Sequence, residues 1–324
     1  MKPDAELFKT FLDELPKKER LGKQRSPWVK FAFHFTDIIN AIAILTTGKV
    51  RCRADLELEN LLSVDIASPT VLATTSAEVK KSVRLYFRPR TPTQHQMEGI
   101  RPDGNLWNES HCPVPVFFLF DLLTILTKDD CSFSDGNLAA LGPKRLYSTA
   151  RELATLDFQK IYHVDWLSAE NKRDIILHRN AEIVIPKELD LDSLKFIYCR
   201  TPAEKETLLH KLPWEVKSEW GSRIIVASST SLFYRHWVFI DTVILDHKSA
   251  TLNFSPDPQK SGPFELRLVR RAEETQERTI SNFKAAGKVQ VDFEANIWMY
   301  EIEVYLSGHL AFAGAYDGRD EIPF

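Results

Sequence analysis

Three separated stretches carry residues whose types and spacing could do chemistry. The first, FAFHFTDIINAIAILTTG at residues 31–48, delivers His34 to the end of an expected strand, because Phe31, Phe33 and Phe35 alternate with Ala32 and His34. Thr36 or Asp37 can then accept from the first amides of a helix whose apolar positions Ile38, Ile42 and Leu45 fall three and four apart, and Gly48 can supply its left-handed stop. A strand end beside a helix N-terminus suits an anionic or polar ligand, although a histidine there, taken alone, reads as a structural hydrogen-bonder. In the second stretch, VRLYFRPR, Val83, Leu85 and Phe87 should face one way and Arg84, Tyr86 and Arg88 the other. Lys80, Lys81, Arg84, Arg88 and Arg90 gather positive charge around one aromatic, with no acid between residues 79 and 97. Cations for phosphates and a stacking face for bases are what a phosphodinucleotide or a single-stranded nucleic acid needs; a charged, solvated strand edge is the plainer alternative. The third stretch, HRNAEIVIP, puts Glu182 directly before the apolar Ile183, Val184 and Ile185 of a short strand.

The elements that must position these groups are legible in outline. Leu7, Phe8, Phe11, Leu12 and Leu15 predict an amphipathic helix broken by Pro16, followed by a basic, flexible linker, KKERLGKQRSPW. PVPVFFLFDLLTIL, residues 113–126, reads as a buried strand entering a helix or loop, and Asp135, Gly136 and Asn137 form a turn. Residues 140–172 read as helix or loop packed by Tyr147, Phe158, Tyr162 and Trp166. LDSLKFIYCR is a strand, and TPAEKETLLHKL opens with a capping box of Thr201 and Glu204 with Pro202 at the first helical position. From about Trp214 short alternating segments separated by Gly, Pro, Asp and Asn predict an antiparallel sandwich or barrel, in which His236, His247 and His309 stand singly. The expected division is residues 1–30 as N-terminal helix and basic linker, 31–213 as the site-bearing domain and 214–324 as a β-rich accessory domain.

Composition narrows the classes. The 324 residues suffice for two cores, and 44% hydrophobic with 27% charged residues is ordinary globular usage. A net charge of −3 gives no global attraction to nucleic acid, so any such contact must be a local basic patch. Cys52, Cys112, Cys131 and Cys199 make neither a disulfide framework nor a zinc motif, so no metal is expected and a reducing compartment is. No apolar run approaches the roughly 20 residues of a membrane span, and the opening residues carry acids where a signal peptide needs an apolar core. The expected location is cytoplasmic, without membrane contact.

HFTDIINAIAILTTG resembles the His-x-Thr, Asn and Gly signature of the DarT family of nucleic-acid ADP-ribosyltransferase toxins. VRLYFRPRTPT resembles that family's tyrosine-phenylalanine strand with its Pro-Arg-Ser/Thr-Pro run, HRNAEIVIP its Arg-x-Ala-Glu segment, and SDGN its Asp-Gly turn, in the same order from about residue 30 to 200. The resemblance implies an α+β fold with an ADP-ribosyltransferase-like split mixed sheet and helices, to which the C-terminal antiparallel β-sandwich-like domain is an addition. It implies NAD as substrate and a transition state resembling an oxocarbenium ion, which Glu182 would stabilise while binding the ribose 2′-hydroxyl. His34 and Thr36 would hold the adenosine-side ribose and the nicotinamide amide region, Asn40 would brace the cofactor or the helix turn around it, and Tyr86 would pack on nicotinamide or its ribose. Arg88 and Arg90 could hold phosphates, and Asp135 would lie on the substrate side. Thymidine-modifying members carry an arginine between the first helix and the aromatic strand; residues 54–79 here contain no Lys or Arg. Its role passes to Arg51, Arg53 or Arg84, or the base differs, with guanine the candidate beside thymine. The expected acceptor is a nucleobase in single-stranded DNA or RNA, DNA being favoured, in a toxin or anti-phage effector with an antitoxin protein as partner. The alternatives are an RNA-directed or protein-directed transferase, or an inactive nucleic-acid-binding module.

Overall fold

A computed structural model describes all residues except 107, 141–144, 229–230, 295 and 319–324. Part of the 140–172 stretch therefore lies outside the described residues. The chain divides into two compact units, one of Met1–Phe35, Ala43–Gln96 and Phe117–Ile197, the other of Thr36–Ile42, Met97–Val116 and Tyr198–Phe324.

In the first unit the chain forms β1 (Phe31–Asp37), β2 (Lys49–Arg51), β3 (Ser82–Tyr86), β4 (Pro115–Asp121), β5 (Ser132–Phe133), β6 (Glu182–Pro186), β7 (Glu188–Asp190) and β8 (Leu194–Cys199), of which β1, β4 and β8 each give one end to the second unit. The main sheet runs β5-β6-β3-β1-β4-β8, and β2 pairs with β7 apart from it. Its central strands are buried on both faces: β4 is apolar and buried from Pro115 to Phe120, and Phe117 meets Phe33 and Phe35 with ring centroids 6.2 and 5.3 Å apart. Antiparallel registers set Tyr86 opposite Phe33 on one side and opposite Glu182 on the other, so three segments distant in sequence meet on adjacent strands.

Three expectations for this unit are corrected. Pro16 does not break the first helix, which runs Ala5–Lys18; the ring falls in the last turn, and burial of Phe8, Leu12 and Leu15 outweighs the one bond the missing N–H would have made. KKERLGKQRSPW is ordered as the helix Gly22–Arg25 and a 3-10 turn, Ser26–Lys30, because Trp28 and Val29 are buried and the Arg25 guanidinium donates to the Tyr162 carbonyl at 3.1 Å. Phe158 and Tyr162 are core residues, stacked at 5.7 Å, but Trp166 is 91% exposed and so is not the packing group expected.

The second unit opens with the end of β1. Asp37 caps the helix Ile38–Thr47: its Oδ1 accepts from the Ile39 amide at 3.0 Å and its Oδ2 from the Val114 amide at 3.2 Å. Burial pushes its carboxyl up to about 6 despite those amides. A raised carboxyl favours folding most below its unfolded pKa near 4, and that advantage disappears as pH rises through about 6, for a loss on the order of 3 kcal/mol. Urea titrations should therefore show the wild type losing stability from pH 4 to 6 more steeply than Asp37→Asn, which loses one amide bond at every pH but cannot ionise. Parallel pH profiles for the two would contradict this.

Arg200 and Glu204 are fully buried as a pair, the guanidinium Nε donating to Oε1 at 3.0 Å. The capping box is thus half as expected: Thr201 Oγ1 accepts from the Glu204 amide and Pro202 starts the helix Pro202–Lys211, but the Glu204 carboxylate accepts from Arg200. Residues from Trp214 do not start the β region; Trp214–Trp220 is helical, and the short strand β9 (Ile224–Val226) follows that helix before the all-β part begins. The all-β part comprises β10 (Ile240–Leu245), β11 (Ser249–Phe254), β12 (Phe264–Arg271), β13 (Thr275–Phe283), β14 (Lys288–Asp292), β15 (Met299–Leu306) and β16 (His309–Asp317). They form two antiparallel sheets, β10-β11-β14 and β13-β12-β15-β16, enclosing one core of Leu252, Leu266, Ile302, Val304 and Phe312, the sandwich texture expected. No helix among the described residues is long and apolar enough to cross a membrane.

Candidate active site

Glu182 sits at the head of β6, its side chain without solvent exposure. A buried carboxylate requires a counter-charge and hydrogen bonds. Arg84, two residues before Tyr86 on β3 and so on the same face, supplies both: Nε donates to Oε2 at 2.8 Å and Nη2 to Oε1. The Arg84 side chain is 28% exposed, so the guanidinium stands between the carboxylate and solvent. The Glu182 main chain is clamped by the turn after β5. The Ser134 amide donates to the Glu182 carbonyl at 2.8 Å and the Glu182 amide donates to Ser134 Oγ at 3.2 Å, while Ser134 Oγ donates to the Gly136 carbonyl at 2.6 Å.

Tyr86, opposite Glu182, is half-buried, and its phenol is hydrogen-bonded to Thr93. The Thr93 hydroxyl and amide both donate to Asn180 Oδ1, at 2.9 and 3.3 Å. Burial pushes the phenol up to about 12, with Glu182 adding to the rise and Arg84 opposing it, so Tyr86 keeps its O–H at neutral pH. On β1, His34 Nδ1 lies 3.2 Å from the Arg84 carbonyl. A carbonyl only accepts, so Nδ1 carries the hydrogen, and in the neutral ring Nε2 is left as an acceptor. Burial lowers the imidazole's pKa, which favours that neutral form. Arg84 therefore joins two groups: its carbonyl fixes His34 and its guanidinium holds Glu182.

The structure brings His34, Arg84, Tyr86 and Glu182 together in the first unit and treats the other expected residues differently. Thr36, buried, and Asn40, half-buried, belong to the second unit. Arg88 is corrected as a phosphate ligand: it turns inward after β3, 3% exposed, donates to the carbonyls of Pro89, Ile161 and His163, and packs over Trp28 at 5.2 Å. Arg90 is half-buried with φ +56°, its amide donating to Gln94. Arg51 pairs with Glu59, and Arg53 with Glu57 and Asp65, so the acids of residues 55–65 occupy both arginines. Asp135 Oδ2 accepts from the Tyr147 hydroxyl at 3.5 Å. Three supporting residues escaped sequence reasoning, Ser134, Thr93 and Asn180. Each lay inside a segment already singled out, but as a small polar residue beside a more reactive neighbour.

The donors and acceptors gathered here, a carboxylate, a phenol O–H and an imidazole acceptor, match the hydroxyls and carboxamide of a nicotinamide riboside. Among the described residues no group of three or more His, Cys, Asp or Glu is placed to hold a metal ion. The model of one family, described as "DarT: ssDNA thymidine ADP-ribosyltransferase, DarT", matches residues 33–234, more than half of the chain. The chain belongs to the DarT family. It is accordingly an NAD-dependent ADP-ribosyltransferase of the single-stranded-DNA class. Among solved structures it is similar to Thermus sp. 2.9 DarT in complex with ADP-ribosylated ssDNA, at 17% identity and TM-score 0.50, over 63% of this chain and 96% of that one. The same Thermus protein in complex with carba-NAD+ matches at 17% identity and in complex with NAD+ at 16%, each over 63% and 98% with TM-score 0.48. No curated protein matches. The DarT fold was expected from the three motif segments, and the mixed sheet of the first unit with its separate antiparallel β region agrees with it.

Proposed function

We propose that this DarT-family chain transfers ADP-ribose from NAD to thymine in single-stranded DNA, with Glu182 as the catalytic carboxylate. The observation that carries the reading is a fully buried Glu182, held by Arg84 beside a protonated Tyr86, inside the segment matched by the family. ADP-ribosyl transfer breaks the nicotinamide ribosyl bond with positive charge developing on the ribose, and a desolvated carboxylate stabilises that charge most strongly. Glu182 also has lone pairs beyond those taken by Arg84 with which to accept from a ribose hydroxyl. Because the carboxylate is covered, Arg84 yields at least one of its two bonds when the ribose engages. Tyr86 offers its ring to nicotinamide or its ribose, and His34 Nε2 accepts from a hydroxyl or carboxamide N–H. Thr36 and Asn40 remain candidates by the family motif alone, Arg90 is the remaining phosphate candidate of the segment after β3, and Asp135 lies on the acceptor side. Arg51 and Arg53, neutralised by acids, are poor candidates for the base-assisting arginine, which leaves Arg84 with that role as well.

Guanine is the second reading of the acceptor. It is favoured by the absence of any Lys or Arg between residues 54 and 79, where thymidine-modifying relatives carry an arginine. In a cell such an activity would act as a toxin or anti-phage effector on replicating DNA, with an antitoxin as counterpart. Single-stranded oligonucleotides that each lack one base, incubated with NAD and read by mass, decide the acceptor. The pool without thymine should alone stay unmodified; loss of modification only in the pool without guanine selects the second reading. Modification of every pool alike, or of RNA or polypeptide instead, overturns both.

A further inference from the structure

Trp166 is the most exposed of the large hydrophobic residues described, at 91%, on a surface where apolar groups of that size gain most from burial. Its loop is nonetheless fixed. Arg88 donates to the Ile161 and His163 carbonyls at 2.9 and 2.6 Å, and Arg25 to the Tyr162 carbonyl at 3.1 Å. Arg179 donates to His163 Nδ1 at 2.7 Å and to the carbonyl of Asp165, the residue before Trp166, at 3.1 Å. An indole held in water on an anchored loop is preorganised for a ligand, since the ordering cost of binding is met by the fold.

We propose that Trp166 is a stacking platform for an unpaired base of the single-stranded DNA acceptor, flanking the base that is modified. The inference rests on the DNA-directed reading above. Arg179 supplies the spatial argument: it holds the Trp166 loop and lies three residues before Glu182, each residue spanning at most about 3.6 Å, so the indole is within a few nucleotides' reach of the carboxylate. Every base has a π-face and every nucleotide a phosphate, and Lys172 and Arg173 stand exposed just beyond the loop to meet the phosphates. A continuous stack would hold the target base in the duplex-like pile, whereas an indole that captures a neighbour leaves the target free to turn toward the ribose.

The test is steady-state transfer to a single-stranded oligonucleotide by wild type, Trp166→Ala and Trp166→Phe, with melting temperatures recorded. Trp166→Ala should raise KM for the oligonucleotide about ten-fold, within the range for loss of one base-aromatic stack, while KM for NAD stays close to wild type. Trp166→Phe should recover most of the loss, and oligonucleotide should quench the wild-type fluorescence more than that of Trp166→Phe. Unchanged oligonucleotide KM in Trp166→Ala, with wild type active on DNA, overturns the stacking role and leaves the indole to a protein partner. No transfer to DNA by wild type would instead overturn the reading on which it rests.

Discussion

Glu182→Gln is expected to cut ADP-ribosyl transfer to DNA by at least about a hundredfold, the scale on which a preorganised electrostatic group at a developing charge acts. Glutamine keeps the volume and one acceptor oxygen of a side chain without solvent exposure, so no cavity opens. What is lost is the negative charge. Arg84, 28% exposed, can turn to water once its partner is neutral, and the fold should lose only about 1–2 kcal/mol. Differential scanning calorimetry beside the transfer assay separates the two effects: the melting temperature moves by a few degrees while the rate collapses. A variant that melted like wild type and retained more than a tenth of its rate would remove Glu182 from the chemistry.

Arg84→Met should be the more damaging change to the protein. The carboxylate of Glu182 would stay buried without a counter-charge, and breaking a buried ion pair from one side costs about 3–5 kcal/mol. Methionine fills much of the space of the arginine stem but offers no N–H. The His34 contact is made to the Arg84 carbonyl, so it should survive the substitution and be lost only with the strand. Arg84→Lys keeps the charge yet cannot reproduce the two-pronged bond, and should fall between wild type and methionine in both stability and rate. Urea denaturation measures the stability loss. The double variant Arg84→Met/Glu182→Leu supplies the check, because removing both charges should restore much of what Arg84→Met loses. A double variant less stable than Arg84→Met would show that the pair is not the source of the cost.

The residues that matter most to this account were legible for a physical reason. Tyr86 closes β3 and Glu182 opens β6 as expected, from the alternation of VRLYF and the apolar run after Glu182; His34, expected at a strand end, lies inside β1 instead, because the strand pairs on to Asp37 before the helix begins. Pairing was not legible. Nothing in the sequence says that Arg84 spends its charge on Glu182 across 98 residues, or that Arg51 and Arg53 are matched by acids within the same surface helix and loop. Arg88 misled most, since it continues the alternation of β3 but follows the strand's last residue, where the chain turns and three carbonyls need donors. Trp166 misled in the opposite sense: its type predicts burial, and only the fold shows that the core closes with Phe158 and Tyr162 before reaching it.

The central claim is most directly tested by incubating the full chain with NAD and single-stranded DNA and reading the oligonucleotide by mass, with Glu182→Gln alongside. One ADP-ribosyl adduct on the DNA, carried by a single type of base, is expected with wild type, and none with a folded Glu182→Gln. Adducts formed equally by Glu182→Gln, or an NAD-binding wild type that leaves every DNA unmodified, would contradict it.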